Sequence, residues 1–461
     1  MNRLPNIQRD FLPDNVDGIY IVGGTLRDLL SGRSPADIDL VVRGDIDRIA
    51  GRIAEKSKGK VISIGKSGFD MLRVVSPTTI FDLTPLDHPC IEADLLDRDF
   101  TINAMAYDVK AQRLIDCTGG LTDLQQQTIR VVSPSAFRRD PARLVRAYRM
   151  AATFQFTISA DTKNAIGRHA PLVQRVAGER IWAELIKIFG ETQSAAVIPD
   201  MAQSGLLTAI FPELKPTVGC IQNRHHQFDV FDHCIETCIQ LETLLGVLGA
   251  RFPELARVAE QTGLYAHSAM LKYSALLHDV GKPTTRQVDA TGRVRFPGHA
   301  AKGAQIAARI SRRLRLSRQQ QETADAIIRH HIRPLFLFLS STASGLPAKG
   351  SIRFFNHCGD LTLPIVIHTM ADIMAKKRVP GRMDLAFIDF CSTLFEAYIA
   401  YKDRQARVPP LVSGKDLIAV FGRTPSPEFA VILKQVDERR LTGELTSRAQ
   451  ALKWVDAYLK S

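Results

Sequence analysis

Asp37 and Asp39 are two residues apart at the head of the apolar run Ile38–Val42. Strand side chains alternate faces, so both carboxylates crowd one spot. Like charges held together repel unless a cation lies between them. Magnesium, bound by one or two carboxylates plus substrate phosphates, suits such a pair. Two metals about 3.5–4 Å apart can activate an attacking hydroxyl and stabilise a leaving phosphate, which is the requirement of nucleotidyl transfer. Upstream, Gly23-Gly24 lets the backbone come close to a triphosphate. Arg27, one helical turn in, can pair with phosphate oxygens. Asp82, in Ile80-Phe-Asp-Leu-Thr84, is the candidate third carboxylate, on a later strand. A lone Asp-x-Asp also suits a surface turn, and Asp82 alone suits a strand-end cap. The Gly-Gly and Arg27-Asp28 ahead of the pair favour the phosphate site.

A second set of chemically able residues lies farther along. His233 falls in a helix start at Phe228–His233, and His278-Asp279 in Ala275–Pro283. His299, His330-His331 and Asp372 follow. His and Asp donors carried on helices suit a transition metal or magnesium. Neighbouring His278 and Asp279 can bind one ion because a helical backbone splays them.

These residues need elements to position them. Short β-rich runs occur at Gly18–Val22, Ile38–Val42, Val61–Ile64, Phe69–Val75 and Thr79–Leu83, with helices from Thr25 to Leu30 and over 45–57. Beyond about residue 135 helical periodicity takes over. Pro212, Pro216 and Gly219 mark a boundary near 215, and Arg407–Leu411 marks another. The expected architecture is an α+β head over 1–135, a helical neck or RNA-binding domain over 136–215, a helical domain over 216–405 and a helical tail over 406–461.

The 461 residues predict two to four domains and a core large enough to need no staples. Seven scattered cysteines without a Cys-x-x-Cys argue against a disulfide framework or a cysteine zinc site. No signal-peptide core and no long apolar run is visible, so a cytoplasmic location with no membrane partner is expected. Lys and Arg outnumber Asp and Glu by 60 to 48, a net charge of +12, which favours a polyanionic partner. Arg143, Arg146 and Arg149 recur on one helical face, with Arg168, Arg175, Arg180 and Lys187 beyond them. Further basic clusters lie at Arg309–Arg318 and at Lys376–Arg382. Any single run is commonly a solvated face. Several together favour phosphate contacts.

Four ordered motifs carry a family resemblance. Gly23–Asp28 with Asp37–Val42 matches GGxxRD…DIDLVV, and Asp97–Ala106 reads DRDFTINAMA beside the pattern RRDFTINAMA. Arg139–Arg146 reads RDPARLVR beside EDPxRxxR, and Gly178–Leu185 is similar to a neck helix. Together they resemble the class II tRNA nucleotidyltransferase and bacterial poly(A) polymerase family, with a polymerase-β-like head. The order His233…His278-Asp279…Asp372 resembles the HD phosphohydrolases.

The resemblance implies that Asp37 and Asp39 hold catalytic Mg2+. Gly23, Gly24, Arg27, Arg98, Asp99 and Asn103 would bind the nucleotide. Asp140 and Arg143, assisted by Arg146, would face its base, since an Asp–Arg pair offers both acceptors and forked donors. In the HD domain, His233, His278, Asp279 and Asp372 would hold a divalent metal of unspecified identity, with His299 and His330 or His331 for a second. The implied partners are the tRNA 3′ end, CTP and ATP. The same motifs serve addition of CCA, of only CC or only A, and of poly(A). A phosphohydrolase with an idle head is the alternative of another class. Asp97 and Arg139 depart from the family's Arg and Glu, and the stretch between Asp82 and Asp97 is short. Both features bear on which nucleotide is chosen.

Overall fold

The computed structural model describes residues 11–12, 16–64, 71–223, 226–253, 255–341, 346–407 and 409–460. The expected start of a strand at Phe69 lies outside them. The chain divides into two compact units, Met1–Ile188 with Val197–Ile210, and Phe189–Ala196 with Phe211–Ser461.

The first unit is built on one mixed sheet of β1 (Ile19–Val22), β2 (Ile38–Val42), β3 (Lys60–Ile64), β4 (Met71–Val75), β5 (Ile80–Pro85), β6 (Met105–Asp108) and β7 (Arg113–Asp116). The strand order is β3-β4-β5-β2-β1-β6-β7. Only β2 and β5 run parallel, and their register sets Asp39 beside Asp82. β4 pairs antiparallel with β5 and sets Arg73 on the other side of Asp82. Central β2 reads as a nearly continuous apolar run because Ile38, Leu40, Val41 and Val42 are all buried. The helix Ile46–Ser57 buries Ile49, Ala50 and Ile53, a spacing that puts all three on one face. Asp45 caps it by accepting from the Arg48 amide at 2.9 Å.

The segments expected as head and neck both lie within this compact unit. Short strands Thr128–Ile129 and Thr157–Ile158 pair in parallel, and Phe100 bridges to Val131. Backbone bonding therefore continues across residue 135, where periodicity alone placed a boundary.

The second unit is helical. Its central helix, Thr362–Met374, is buried at every position from Thr362 to Ile373. The helices Val230–Arg251, Ser268–Leu277, Arg318–His330 and Arg382–Arg407 pack against it. A helix buried on every face is a core helix, here one that carries His368 and Asp372 into the interior. The tail closes its own small core of Val412, Leu417, Ile432, Val436 and Val455. Trp454 packs on that core and stacks on Tyr458 at 5.3 Å. Among the described residues no helix is long and apolar enough to cross a membrane.

Candidate active sites in the two units

In the head, the helix after β1 starts at Gly23, two residues earlier than expected. Gly23 has φ +64°, and a Cβ there would lie 3.1 Å from Arg98 Nη1 and 3.4 Å from Asp39 Oδ2. Both backbone angle and space therefore call for glycine. Buried Thr25 then sets the aspartates. Its hydroxyl donates to the Asp37 carbonyl at 3.1 Å and accepts from the Asp39 amide at 2.7 Å.

Carboxylate oxygens of Asp37, Asp39 and Asp82 all lie within 4.8 Å of one another. Arg73 grips Asp82 through two bonds of 2.6 and 2.7 Å. Burial, then Asp37, then Asp82, push the Asp39 carboxyl up to about 6. This oxygen-only cluster is short of positive charge, so the residues fit a divalent cation.

A cavity of about 350 Å³ opens on this cluster, lined by Gly23, Gly24, Asp39, Asp82, Arg98 and Arg143 among others. Asp99 and Asn103 also line it. Arg98 is anchored on Asp94 at 2.9 Å. Arg27 does not line the cavity. It donates to Asn103 Oδ1 at 2.7 Å and to Asp28 Oδ1 at 2.9 Å, with its guanidinium 4.3 Å from the Phe154 ring centre. Asn103 in turn donates to Asp99 Oδ1 at 3.0 Å.

The expected base-facing residues follow at the neck. Asp140 accepts two bonds from Arg180, at 2.8 and 3.0 Å. Burial opposes ionisation of Asp140, and Arg180 outweighs it, lowering the carboxyl below its ordinary value. Arg143 Nη1 donates to the carbonyls of Asp97 and Arg98 at 3.2 and 3.4 Å. Arg146 and Arg149, expected to face phosphate, turn inward instead. Both pair with Glu184, at 3.0 and 2.5 Å, and Arg146 also reaches Asp99 at 3.3 Å. The two departures from the family pattern meet each other, with Arg139 Nη2 3.2 Å from Asp97 Oδ1. Where the family pattern has Arg and Glu, this chain has Asp and Arg, so opposite charges face each other with the signs exchanged.

In the second unit, Asp229 caps the helix bearing His233 by accepting from the Asp232 amide at 2.8 Å. His233 Nε2 lies 3.0 Å from Asp372 Oδ1 and 3.6 Å from Asp279 Oδ2. His278 Nε2 is 3.2 Å from Asp279 Oδ2. The other oxygen of Asp279 faces His299 Nε2 at 3.5 Å and His331 Nε2 at 3.9 Å. Asp279 thus stands between two groups of donors, His233 with His278 and His299 with His331. Asp279 Oδ1 is buried without a hydrogen-bond partner, as are both ring nitrogens of His368. Orphaned buried donors of this chemistry fit a divalent metal.

Burial opposes the charged forms at the centre of this cluster, yet Asp279 holds His278 well above its ordinary range. His278 and Lys282 likewise hold Asp279 well below its own. His331 is pushed down to about 3 by burial and by its histidine neighbours. His330 is not brought to the cluster; its Nε2 lies 3.1 Å from that of His357. Spacing alone missed Lys282, which contacts Asp279 at 2.5 Å, and buried His368, whose ring nitrogens have no hydrogen-bond partner. It also missed Thr25 and Arg73 in the head and Glu184 in the neck. A cavity of about 780 Å³ opens on Asp279, His299, His331 and Asp372.

A mixed sheet presenting three carboxylates beneath a glycine turn, with a helical neck, has the form of a polymerase-type nucleotidyltransferase head. The model "Poly A polymerase head domain" matches residues 19–130, "Probable RNA and SrmB- binding site of polymerase A" matches 155–217, and "HD domain" matches 230–337. An A-adding tRNA nucleotidyltransferase of Deinococcus radiodurans is 31% identical over 98% of each chain. A CC-adding tRNA nucleotidyltransferase of Thermus thermophilus is 29% identical over 94% of this chain and 92% of its own. The Thermotoga maritima CCA-adding enzyme complexed with tRNA shares the fold, with TM-score 0.60 and 22% identity over 96% of this chain and 91% of its own. The chain belongs to the tRNA nucleotidyltransferase family, in the branch that carries an HD domain.

Proposed function

We propose that this enzyme extends the tRNA 3′ end without a template, adding CCA or part of it from CTP and ATP. The observation that carries the reading is the meeting of Asp37, Asp39 and Asp82 within 4.8 Å at a cavity also lined by Arg143. Mg2+ is the proposed ion of the head. When bound there it would lower the barrier to attack by the terminal hydroxyl and stabilise the departing pyrophosphate.

The chain's own residues do the rest. Arg98, anchored on Asp94 through Nε and Nη2, presents Nη1 to phosphate. Gly23 and Gly24 keep the approach open. Arg27 holds Asn103, and Asn103 holds Asp99, so the nucleotide-binding side of the cavity is one connected network. Asp140 and Arg143 supply an acceptor and forked donors for the incoming base. Both are engaged with protein partners, so base recognition requires these bonds to be exchanged.

For the second unit we propose a metal-dependent phosphohydrolase that acts on phosphate ends such as a 2′,3′-cyclic phosphate. Water adding at phosphorus with cleavage of the P–O3′ bond would leave a 2′-phosphate and free the 3′ hydroxyl for the head. Cytoplasmic residence and the division into head, neck, HD domain and tail complete the reading.

The test is a gel assay with magnesium and three tRNAs, ending before CCA, after C and after CC, each given CTP, ATP or both. Addition of three nucleotides to the shortest substrate, stopping there, identifies a CCA-adding enzyme. Addition of only CC, only A, or long A tails assigns the narrower chemistry. No addition on any substrate sinks the reading.

A further inference from the structure

The cavity of about 780 Å³ that opens on the second unit's metal cluster is larger than one phosphate needs. Ligand pockets begin at about 300 Å³, so a whole nucleotide has room there. Arg293 and Phe296 line it, and neither belongs to the ligand set described above.

Arg293 stands in the turn of a small hairpin, Gln287–Val288 paired with Val294–Arg295, and Phe296 directly follows it. Gln287, Val288 and Arg295 are exposed and Val294 is half-buried, so the hairpin brings almost nothing to a core. A two-stranded hairpin without a buried face is marginal in water. This one is held by its turn. Asp289 accepts from the Thr291 amide at 3.0 Å, the Thr291 hydroxyl at 2.6 Å and the Arg293 amide at 3.1 Å. Gly292 supplies a positive φ of +77°. What the hairpin does contribute is one wall of the cavity, which every residue from Thr291 to Phe296 lines.

Phe296 is joined to the metal cluster twice. Its carbonyl lies 2.8 Å from His299 Nδ1, and a carbonyl can only accept, so the proton is on Nδ1 and Nε2 is left for a metal. Its ring centre is 5.5 Å from Lys282 Nζ, which itself contacts Asp279 at 2.5 Å and Gln222 Oε1 at 2.6 Å. One ammonium thus touches a candidate metal ligand and faces an aromatic ring. Among the described residues that line the cavity, Phe296 is the one Phe, Tyr or Trp. A half-buried ring this near a phosphate site suits a flat heteroaromatic base. Arg293 is exposed, and among the described residues no carboxylate pairs with it, whereas Arg295 faces Asp289 at 3.5 Å.

We propose that this hairpin reads the terminal nucleoside for the second unit, with Phe296 stacking the last base of a strand and Arg293 taking the phosphodiester on its 5′ side. The substrate is then an RNA end that carries a 2′,3′-cyclic phosphate, in preference to a free cyclic mononucleotide. The inference rests on the phosphohydrolase reading above. A cyclic mononucleotide has one phosphate, which belongs at the metal cluster, and it leaves the forked donors of Arg293 unused. A strand end has a second phosphate for them. Stacking tolerates every base, so the site accepts ends of any sequence.

The test compares two substrates of the full chain, cytidine 2′,3′-cyclic phosphate and cytidylyl-cytidine ending in the same cyclic phosphate. The unaltered protein should favour the dinucleotide about tenfold in kcat/KM, the worth of one charge-assisted contact. Arg293→Gln should bring the two substrates to within about twofold of each other. Phe296→Leu should raise KM for both about tenfold with little change in kcat, as loss of one stacked base requires. Phe296→Tyr keeps the ring and should restore KM. Val288→Thr, on the same hairpin and away from the cavity, should leave every constant alone. Metal content should hold in all of these, because Phe296 meets His299 through its backbone carbonyl. Calorimetry with cytidine and cytidylyl-cytidine that each end in a 3′-methylenephosphonate, whose P–C bond resists hydrolysis, reads the same contrast as Kd.

Equal kcat/KM for the two substrates in the unaltered protein overturns the proposal, and so does an unchanged KM in Phe296→Leu. Hydrolysis of neither substrate overturns the phosphohydrolase reading. Tighter binding of the dinucleotide probe, lost in Arg293→Gln, would then still support the hairpin as a nucleotide site. Equal binding of the two probes would overturn both.

Discussion

The head and the second unit each gather acidic residues where a metal fits, by opposite electrostatic routes. The head places three carboxylates together with only oxygen donors, and leaves Asp39 with a pKa of about 6. Arg73 offsets Asp82 alone, which leaves the charge of Asp37 and Asp39 for a cation or proton to balance. The second unit interleaves histidine and aspartate and buries both, so that His278 is held up and Asp279 down by each other. Within that cluster the buried charges of His278 and Asp279 offset each other. Oxygen-only donors favour Mg2+, whereas mixed imidazole and carboxylate donors favour a transition metal.

The largest break in this comparison is Asp37→Ala with Asp39→Ala. Removing the donors for the head's ions should cost about a thousandfold or more in nucleotide addition, since such ions supply several kcal/mol at the transition state. RNA binding and the metal content of the second unit should survive. Extension gels alongside metal analysis check this, and retained addition would show that the carboxylates are structural.

The reciprocal change is Asp279→Asn. It should empty the second site of metal and abolish hydrolysis of 2′,3′-cyclic nucleotides. It should also lower the melting temperature, because loss of one partner from a buried charged cluster costs about 3–5 kcal/mol. Addition by the head should continue wherever the protein remains folded. A variant that keeps its metal would show that Asp279 is not a ligand.

Local chemistry and spacing made much of both sites readable. Asp37 and Asp39 share a strand face by a rule of two, and Gly23-Gly24 announces itself by composition. The order His233, His278-Asp279, Asp372 needs no knowledge of packing. What was not readable depends on register between distant elements. Arg73 meets Asp82 only because β4 pairs with β5 in one particular alignment. Glu184 absorbs Arg146 and Arg149 from a helix some forty positions away, so a basic face that looked free is neutralised. His330 and His331 differ by about 100° around their helix, so one helix face can deliver only one of them. Sequence order could not say which. The strand pairing of Thr128–Ile129 with Thr157–Ile158 runs across residue 135, a contact that helical periodicity does not announce.

The finest test concerns Asp97 and Arg139, where the head's site departs from its family. Both side chains are partly exposed, so their ion pair is screened and worth about 0.2–1 kcal/mol. Its position gives it more leverage than its energy. Asp97 also offers its carbonyl to Arg143, so the pair ties the turn before Arg98 to the segment that begins at Asp140. Asp97→Ala and Arg139→Ala should each lower kcat/KM for nucleotide addition by no more than about fivefold, the equivalent of about 1 kcal/mol. The double change should cost less than the two losses combined, since each single variant already breaks the pair. Asp97→Arg with Arg139→Glu, the family's own arrangement, should recover most of the activity while either change alone does not. Additive losses in the cycle would mean that the two residues act separately, and that the exchange of charge between them does not compensate.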